Sequence, residues 1–403
     1  SIMILRGVYM IKREHYIAQI RPFYESDLIK VITGIRRCGK SVIECQIEDE
    51  IKSKGIPTLS LDFEDRAVSA NITDADELIA YVKEHLTSKK LYVFLDEVQT
   101  LKDWNVACRS LRLENISLFI TGSNSKLLSK EFTKELSGRY VSFCIRPFVY
   151  KEICEYASEL NKKITPADYL IYGGFPKTIE FGTKDAVMRY LNELDEQIVI
   201  NDIMNRYKIR KTDLFRRLVN FVLISNSRIF SASSVQKYLK GQNLTCSINT
   251  VMNYLNYLEE AYVIRSIPQY SEKAKKELTY YEKLYDEDVA FNTIRQTGGR
   301  FDLTHNLENI VYNELVYMGY ELSVFNLNGK EIDFIAEKDN KQYLIQVAYS
   351  IADDDTYNRE FSLFNSTDQS RQKIIITNDD FDYSTSTVRH ISLKNFLMME
   401  DLS

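Results

Sequence analysis

Residues 34–41 read GIRRCGKS: a glycine, four residues, then Gly-Lys-Ser, a spacing that can cradle phosphate. Gly34 and Gly39 bound the loop. Lacking a Cβ, they tolerate unusual φ and let backbone N–H groups converge on phosphate oxygens. Gly34, Ile35, Arg36, Arg37, Cys38, Gly39, Lys40, Ser41 and Val42 would line a nucleotide held this way. Lys40 would reach the β- and γ-phosphates, and the Ser41 hydroxyl would ligate Mg²⁺. A helix N-terminus after the loop adds donors and a favourable dipole. The required strand–loop–helix context is present, with LIKVITG before and SVIECQIEDEIKSK after. A chance match in a loop would lack it.

Three more strand ends carry polar residues. LYVFLDE is an apolar run ending in Asp96 and Glu97. Acids at the end of a buried strand are costly unless a cation sits there. Behind a phosphate loop, Asp96 would hold Mg²⁺ and Glu97 would polarise the attacking water. Without the loop, both acids would simply end a strand in solvent. In ISLFITGSNS, Thr121, Ser123 and Asn124 either set a hydroxyl or amide beside the γ-phosphate or cap the next helix. In ELSGRY, Arg139 opens a strand, placed either to reach a neighbouring subunit's nucleotide or to form a surface ion pair.

These residues need a scaffold. Short β-type runs at 28–34, 58–65, 91–97, 116–123 and 140–148 alternate with helical stretches, and several are continuously apolar. That is the pattern of a parallel sheet covered on both faces and built from crossovers. The fold class is α/β with more than one domain, as 403 residues require. We divide the chain at 1–148, 149–205, 206–270 and 271–403, with a hinge near 268–280. The second piece is helical and interrupted by YGGFPK. The third reads as helices and a β-wing, with Ser231 and Ser247 as N-caps. The fourth reads as a helix (305–318), strands (321–326, 331–337, 342–348), a helix (354–365) and a strand (373–377).

Composition narrows the classes. A net charge of −5 argues against an overall nucleic-acid-binding field, though not against a local basic patch. The most basic stretch, NRYKIRKTDLFRR at 205–217, either tracks phosphates around Tyr207 or forms a solvated helix face. Six scattered cysteines, none spaced Cys-x-x-Cys, suit a reducing compartment and indicate neither zinc nor disulfides. Four dispersed histidines suggest no triad. No apolar run approaches the ~20 residues of a membrane span. Met10 reads as a start, with residues 1–9 as an upstream extension, and the cytoplasm is the expected location.

With GIRRCGKS, LYVFLDEVQ, ITGSNSKLLS, LSGRY, PFVYKEI and YGGFPK together, the chain resembles the AAA+ ATPases of a large prokaryotic group that carries a C-terminal domain of unknown function. The resemblance covers nearly the whole chain. It implies a Walker A loop at 34–41, a Walker B pair at Asp96 and Glu97, a sensor at Asn124 and an arginine finger at Arg139. It also implies a helical lid after 149 and a winged-helix-like module at 206–270. The implied cofactors are ATP and Mg²⁺, and only the resemblance favours adenine. It leaves the client, DNA or protein, open, and an arginine finger acting in trans requires a homo-oligomer.

HNLENIVYNEL, GKEIDFIAEK and YLIQVAYS resemble a PD-(D/E)XK restriction-endonuclease-like fold. Active members gather a helix glutamate, a strand aspartate and an E-x-K around Mg²⁺. Glu308 and Asp333 match the first two, but the third reads Gln346-Val347-Ala348, without the charge or the ammonium. The implied domain is nuclease-like and inactive in cleavage unless Lys330, Lys338 or Arg359 replaces the lysine. Three functions stand: an ATP-driven machine, a nucleotide-gated switch or scaffold, and an ATP-dependent nuclease.

Overall fold

The computed structural model describes residues 3–5, 8–123, 136, 138–270, 282–296, 298, 300–327, 330–364, 367 and 371–403. Asn124 and most of the 268–280 hinge segment lie outside the described residues. The chain forms two units, 1–147 with 260–262, and 148–259 with 263–403.

In the first unit, β1 (Met3–Leu5) and β2 (Val8–Met10) form an antiparallel hairpin. The main sheet contains β3 (Ile29–Thr33), β4 (Thr58–Asp62), β5 (Leu91–Asp96), β6 (Ile116–Gly122) and β7 (Tyr140–Cys144). It is parallel throughout, in the order β4-β5-β6-β3-β7. The apolar runs of β3, β5 and β6 are buried because helices cover both faces, as the sequence predicts. Lys30, inside β3, donates to Ser117 Oγ (2.8 Å) and lies over the Phe119 ring. Burial pulls its ammonium down to about 7. β6 lies between β3 and β5, so the chain leaving β3 crosses β6 and β5 to reach β4, and the strand order reverses beside β3. An open crevice at such a point is where α/β sheets bind ligands.

The second unit contains helices before and after residue 263, among them Leu303–Tyr317, and two sheets. The smaller sheet orders β8 (Arg228–Phe230), β10 (Glu282–Asp286) and β9 (Ile264–Pro268), with β10 in the middle and antiparallel to both. Ser231 and Ser247 accept from the backbone N–H groups of Ser234 and Thr250, capping their helices as predicted. The larger sheet orders β11 (Glu321–Leu327), β12 (Lys330–Lys338), β13 (Lys341–Ala348), β14 (Gln372–Thr377) and β15 (Val388–Ser392). β11 to β13 are antiparallel, and β14 and β15 join in parallel. The sequence reading missed β15, whose VRHIS carries too few apolar residues to stand out as a strand. Among the described residues no helix is long and apolar enough to cross a membrane.

The YGGFPK break has a steric cause. Gly173 has φ +68°, and a Cβ there would lie 1.6 Å from Asp288 Oδ1. The other Asp288 oxygen accepts from Gly174 N (2.7 Å). A Cβ on Gly174 would lie 2.1 Å from the Phe148 carbonyl oxygen. Glu314, on the helix Leu303–Tyr317, accepts from Tyr150 N (2.9 Å), and burial pushes its carboxyl up to about 8.

Two outcomes follow. Gly174→Ala lowers stability by about 2 kcal/mol in denaturant unfolding, while Gly182→Ala, whose Cβ meets nothing within 4 Å, does not. Because the folded carboxyl of Glu314 holds its proton above the ordinary range, its contribution is complete below about 4.5 and is lost as pH rises to about 8. Glu314→Gln removes this dependence, and the variant gains on the order of 4 kcal/mol relative to the parent across that window.

Candidate functional site

The phosphate loop connects β3 to the helix Lys40–Lys52. Gly34 has φ +144°, and a Cβ there would lie 2.0 Å from the Ile145 carbonyl oxygen. Arg37 and Gly39 also have positive φ, of 68° and 100°. The chain after β7 therefore packs directly against the loop backbone, and only glycine fits at 34. Arg13 fastens the same junction. It is 2% exposed, and its Nη1 donates to the carbonyls of Cys38 and Arg146, both at 3.0 Å. Arg13 lies in no motif and was not singled out by the sequence. The Cys38 thiol donates to Ile145 O (3.3 Å), and Arg36 donates to Glu64 (2.9 Å). Lys40 Nζ folds over the loop and donates to Gly34 O (3.2 Å) and Ile35 O (3.1 Å).

Asp96 ends β5 beside this loop. Ser41 Oγ donates to Asp96 Oδ2 (2.7 Å), and Thr121 Oγ1, at the end of β6, donates to Oδ1. Glu97 sits at φ +50°, a costly conformation for a non-glycine residue and one found at functional sites. Its N–H donates to Thr121 Oγ1 (3.2 Å), while its carboxylate accepts from Gln99 Nε2 and Ser123 Oγ (3.3 Å). Of the hydroxyls predicted beside the γ-phosphate, Thr121 and Ser123 thus hold the two acids. Gln99 is a partner the sequence did not reveal.

The residues present fit a nucleotide with its Mg²⁺. The loop has positive φ at Gly34, Arg37 and Gly39, a backbone form that can turn N–H groups toward an anion, and Ser41 and Asp96 form a hydroxyl–carboxylate pair suited to a hard cation. Glu44, one turn after Ser41, is buried, and its Oε1 meets no donor. Burial, with the Asp96 charge added, pushes its carboxyl well above the ordinary range. A divalent ion beside Asp96 would relieve the cost of ionising Glu44.

Arg139 lies elsewhere. Its carbonyl accepts from Ile29 N, at the start of β3, so it sits at the sheet edge opposite the phosphate loop. The five residues of β3 separate the edges by about 16 Å. Its exposed side chain lines a surface recess with Val106, Arg109, Arg112 and Leu113.

The second predicted set is brought together. Lys283 Nζ on β10 lies 2.7 Å from Glu308 Oε1, 2.7 Å from Glu331 Oε1 and 3.0 Å from Asp333 Oδ1. Tyr285 OH donates to Glu308 (2.8 Å), and Val347 N donates to Asp333 Oδ2 (2.9 Å). Gln346 accepts from Asp333 N (3.3 Å) and donates to Glu360 (2.9 Å). Burial opposes the Lys283 charge, but Asp333, Glu308 and Glu331 outweigh it and raise its pKa. Glu308 is pushed up to about 8 by burial and by Asp333. Neither Lys338, which donates to Asp401 (2.6 Å), nor Arg359, paired with Glu360 (2.8 Å), supplies the ammonium. The Lys330 side chain lies outside the described residues.

The basic stretch is partly spent on packing. Arg216 pairs with Glu196 and Arg217 with Asp213, while Tyr207 stacks on Tyr257 at 3.7 Å.

The residues of the first site fall within a stretch that matches a known family. Residues 26–154 match the family described as AAA domain, 165–293 a domain of unknown function (DUF8612), and 304–396 another (DUF4143). An uncharacterized protein of Haemophilus influenzae is 33% identical over 85% of this chain and 88% of its own length. One of Methanocaldococcus jannaschii is 31% identical over 80% and 75%. A solved structure titled as a Walker-type ATPase of Pyrococcus abyssi is 17% identical with a TM-score of 0.49, covering 71% of this chain and 96% of that one. The chain therefore belongs to the family of the Haemophilus and Methanocaldococcus proteins, and its first unit carries an AAA-type P-loop ATPase domain.

Proposed function

We propose that this protein hydrolyses Mg-ATP and uses the turnover to act on a macromolecular client. The observation that carries the reading is the grip of Ser41 and Thr121 on Asp96, with Glu97 next in the chain. Ser41 and Asp96 would hold Mg²⁺, which supplies charge neutralisation at the phosphate oxygens. Lys40 binds and orients phosphate. Glu97 takes the proton of the attacking water, once its carboxylate leaves Gln99 and Ser123. Arg139, too far from the loop of its own chain, serves a neighbouring copy's nucleotide.

DNA is the client class we propose. The helices of 206–260 with the β8-β10-β9 sheet suit a winged-helix module, and its last helix exposes Asn249, Asn253 and Asn256. Lys208, Arg210 and Lys211 remain exposed nearby in sequence. The hydrogen bonds that hold Glu97 favour a second reading, a switch set by nucleotide occupancy with slow turnover. The larger sheet we read as nuclease-like and without cleavage activity.

Steady-state ATPase assays test this. Lys40→Ala abolishes turnover, and Glu97→Gln lowers it at least ~100-fold while ATP binding persists. DNA stimulates the parent and not Lys40→Ala; turnover indifferent to DNA points to a protein client. Arg139→Ala lowers turnover at unchanged ATP affinity, and undiminished turnover removes Arg139 from the mechanism. A Glu97→Gln protein that still functions in vivo favours the switch.

A further inference from the structure

The nuclease-like resemblance implies a divalent metal among Glu308, Asp333 and the side chain at 346, and the residues present do not fit one. An ammonium has three N–H donors, and Glu308, Glu331 and Asp333 accept one each within 3.0 Å. A divalent ion bound by the same oxygens would need the space that Nζ fills. Gln346 brings no charge, and both ends of its amide are engaged, with Asp333 N and Glu360. As placed around the ammonium, and elsewhere among the described residues, no three His, Cys, Asp or Glu side chains could hold a metal ion.

The cation comes from far along the chain. Lys283 precedes the helix of Glu308 and belongs to β10, the middle strand of the smaller sheet. Glu331 and Asp333 alternate on β12, so both face the same side. One residue past Tyr285, Asn309 clamps β10 again: Asp286 N donates to Asn309 Oδ1 (2.8 Å), and Asn309 Nδ2 donates to Asp286 O (2.9 Å). Lys283 is 3% exposed, and a buried ammonium persists only where acids compensate it.

We propose that Lys283 is the resident cation of this site: its ammonium stands in for a divalent metal among Glu308, Glu331 and Asp333, joins the smaller sheet to the larger one, and leaves a metal site only when it is removed. Two consequences distinguish this from an ordinary ion pair. The native protein does not take up a divalent ion here. A protein without the ammonium has the buried carboxylates of Glu308 and Asp333 and the half-buried one of Glu331 facing one another, and a divalent ion restores what was lost. Neither consequence depends on the nucleotide site.

The test uses the full chain, freed of nucleotide, with EDTA or millimolar Mn²⁺. In EDTA, Lys283→Ala and Lys283→Met melt about 10 °C below the parent. Mn²⁺ recovers most of that loss, and adding Asp333→Ala abolishes the recovery. Mn²⁺ counted by electron paramagnetic resonance rises by one ion per chain in Lys283→Ala over the parent. The proposal is overturned if Mn²⁺ raises the parent's melting temperature in a way that Asp333→Ala removes, because the ammonium then yields to metal. It is also overturned if the Lys283 variants fold but Mn²⁺ neither binds nor rescues them. Should neither variant fold, the parent decides: Asp333-dependent Mn²⁺ binding rejects the proposal and its absence supports it.

Discussion

The nucleotide site depends on holding one carboxylate, Asp96, at the end of a strand whose other residues are buried. Each of its oxygens receives a hydroxyl, from Ser41 on the loop helix and Thr121 on the adjacent strand. These bonds offset the cost of withdrawing the acid from water and fix its direction. They also align three separate segments. Thr121 accepts from Glu97 N as well, so the strained backbone of Glu97 is held by the same contact. The position of β6, between the loop strand and the acid strand, makes this possible.

The loop is held by packing of a different kind. Its backbone lies against the chain leaving β7 so closely that Gly34 tolerates no side chain. Arg13 links the Cys38 and Arg146 carbonyls across the same junction. A cradle made of N–H groups works only if its backbone is rigid before the anion arrives. Glycine provides the shape, and the arginine and the strand provide the stiffness.

Two acid clusters solve the same electrostatic problem in opposite ways. Near Asp96, Glu44 keeps an oxygen without a donor and burial holds its carboxyl protonated, so the acids there gain full charge only when a cation enters. Around Lys283, three acids are already supplied with a cation by the protein itself. The first arrangement suits a reversible ligand. The second suits a permanent joint, because a buried ammonium that loses its acids, or acids that lose their ammonium, cost several kcal/mol.

The residues of the phosphate loop were legible because their chemistry is local. Gly34, Gly39, Lys40 and Ser41 lie within eight residues, and an apolar strand ending in acids announces Asp96 and Glu97. Glu308, Asp333 and Gln346 were likewise found by motif, and the structure gathers them. What the sequence alone determined was thus the alternation of strands and helices, the loop chemistry and the candidate acids of the two sites. Only the tertiary structure decided their partners: Arg13 on the loop, Gln99 and Ser123 on Glu97, Tyr257 under Tyr207, and Lys283 in place of Lys330, Lys338 or Arg359. The reason is physical. A helix or strand is set by neighbours a few residues away, whereas Lys283 meets Asp333 across 50 residues, and nothing in a charged side chain's own surroundings says which distant acid will share its burial.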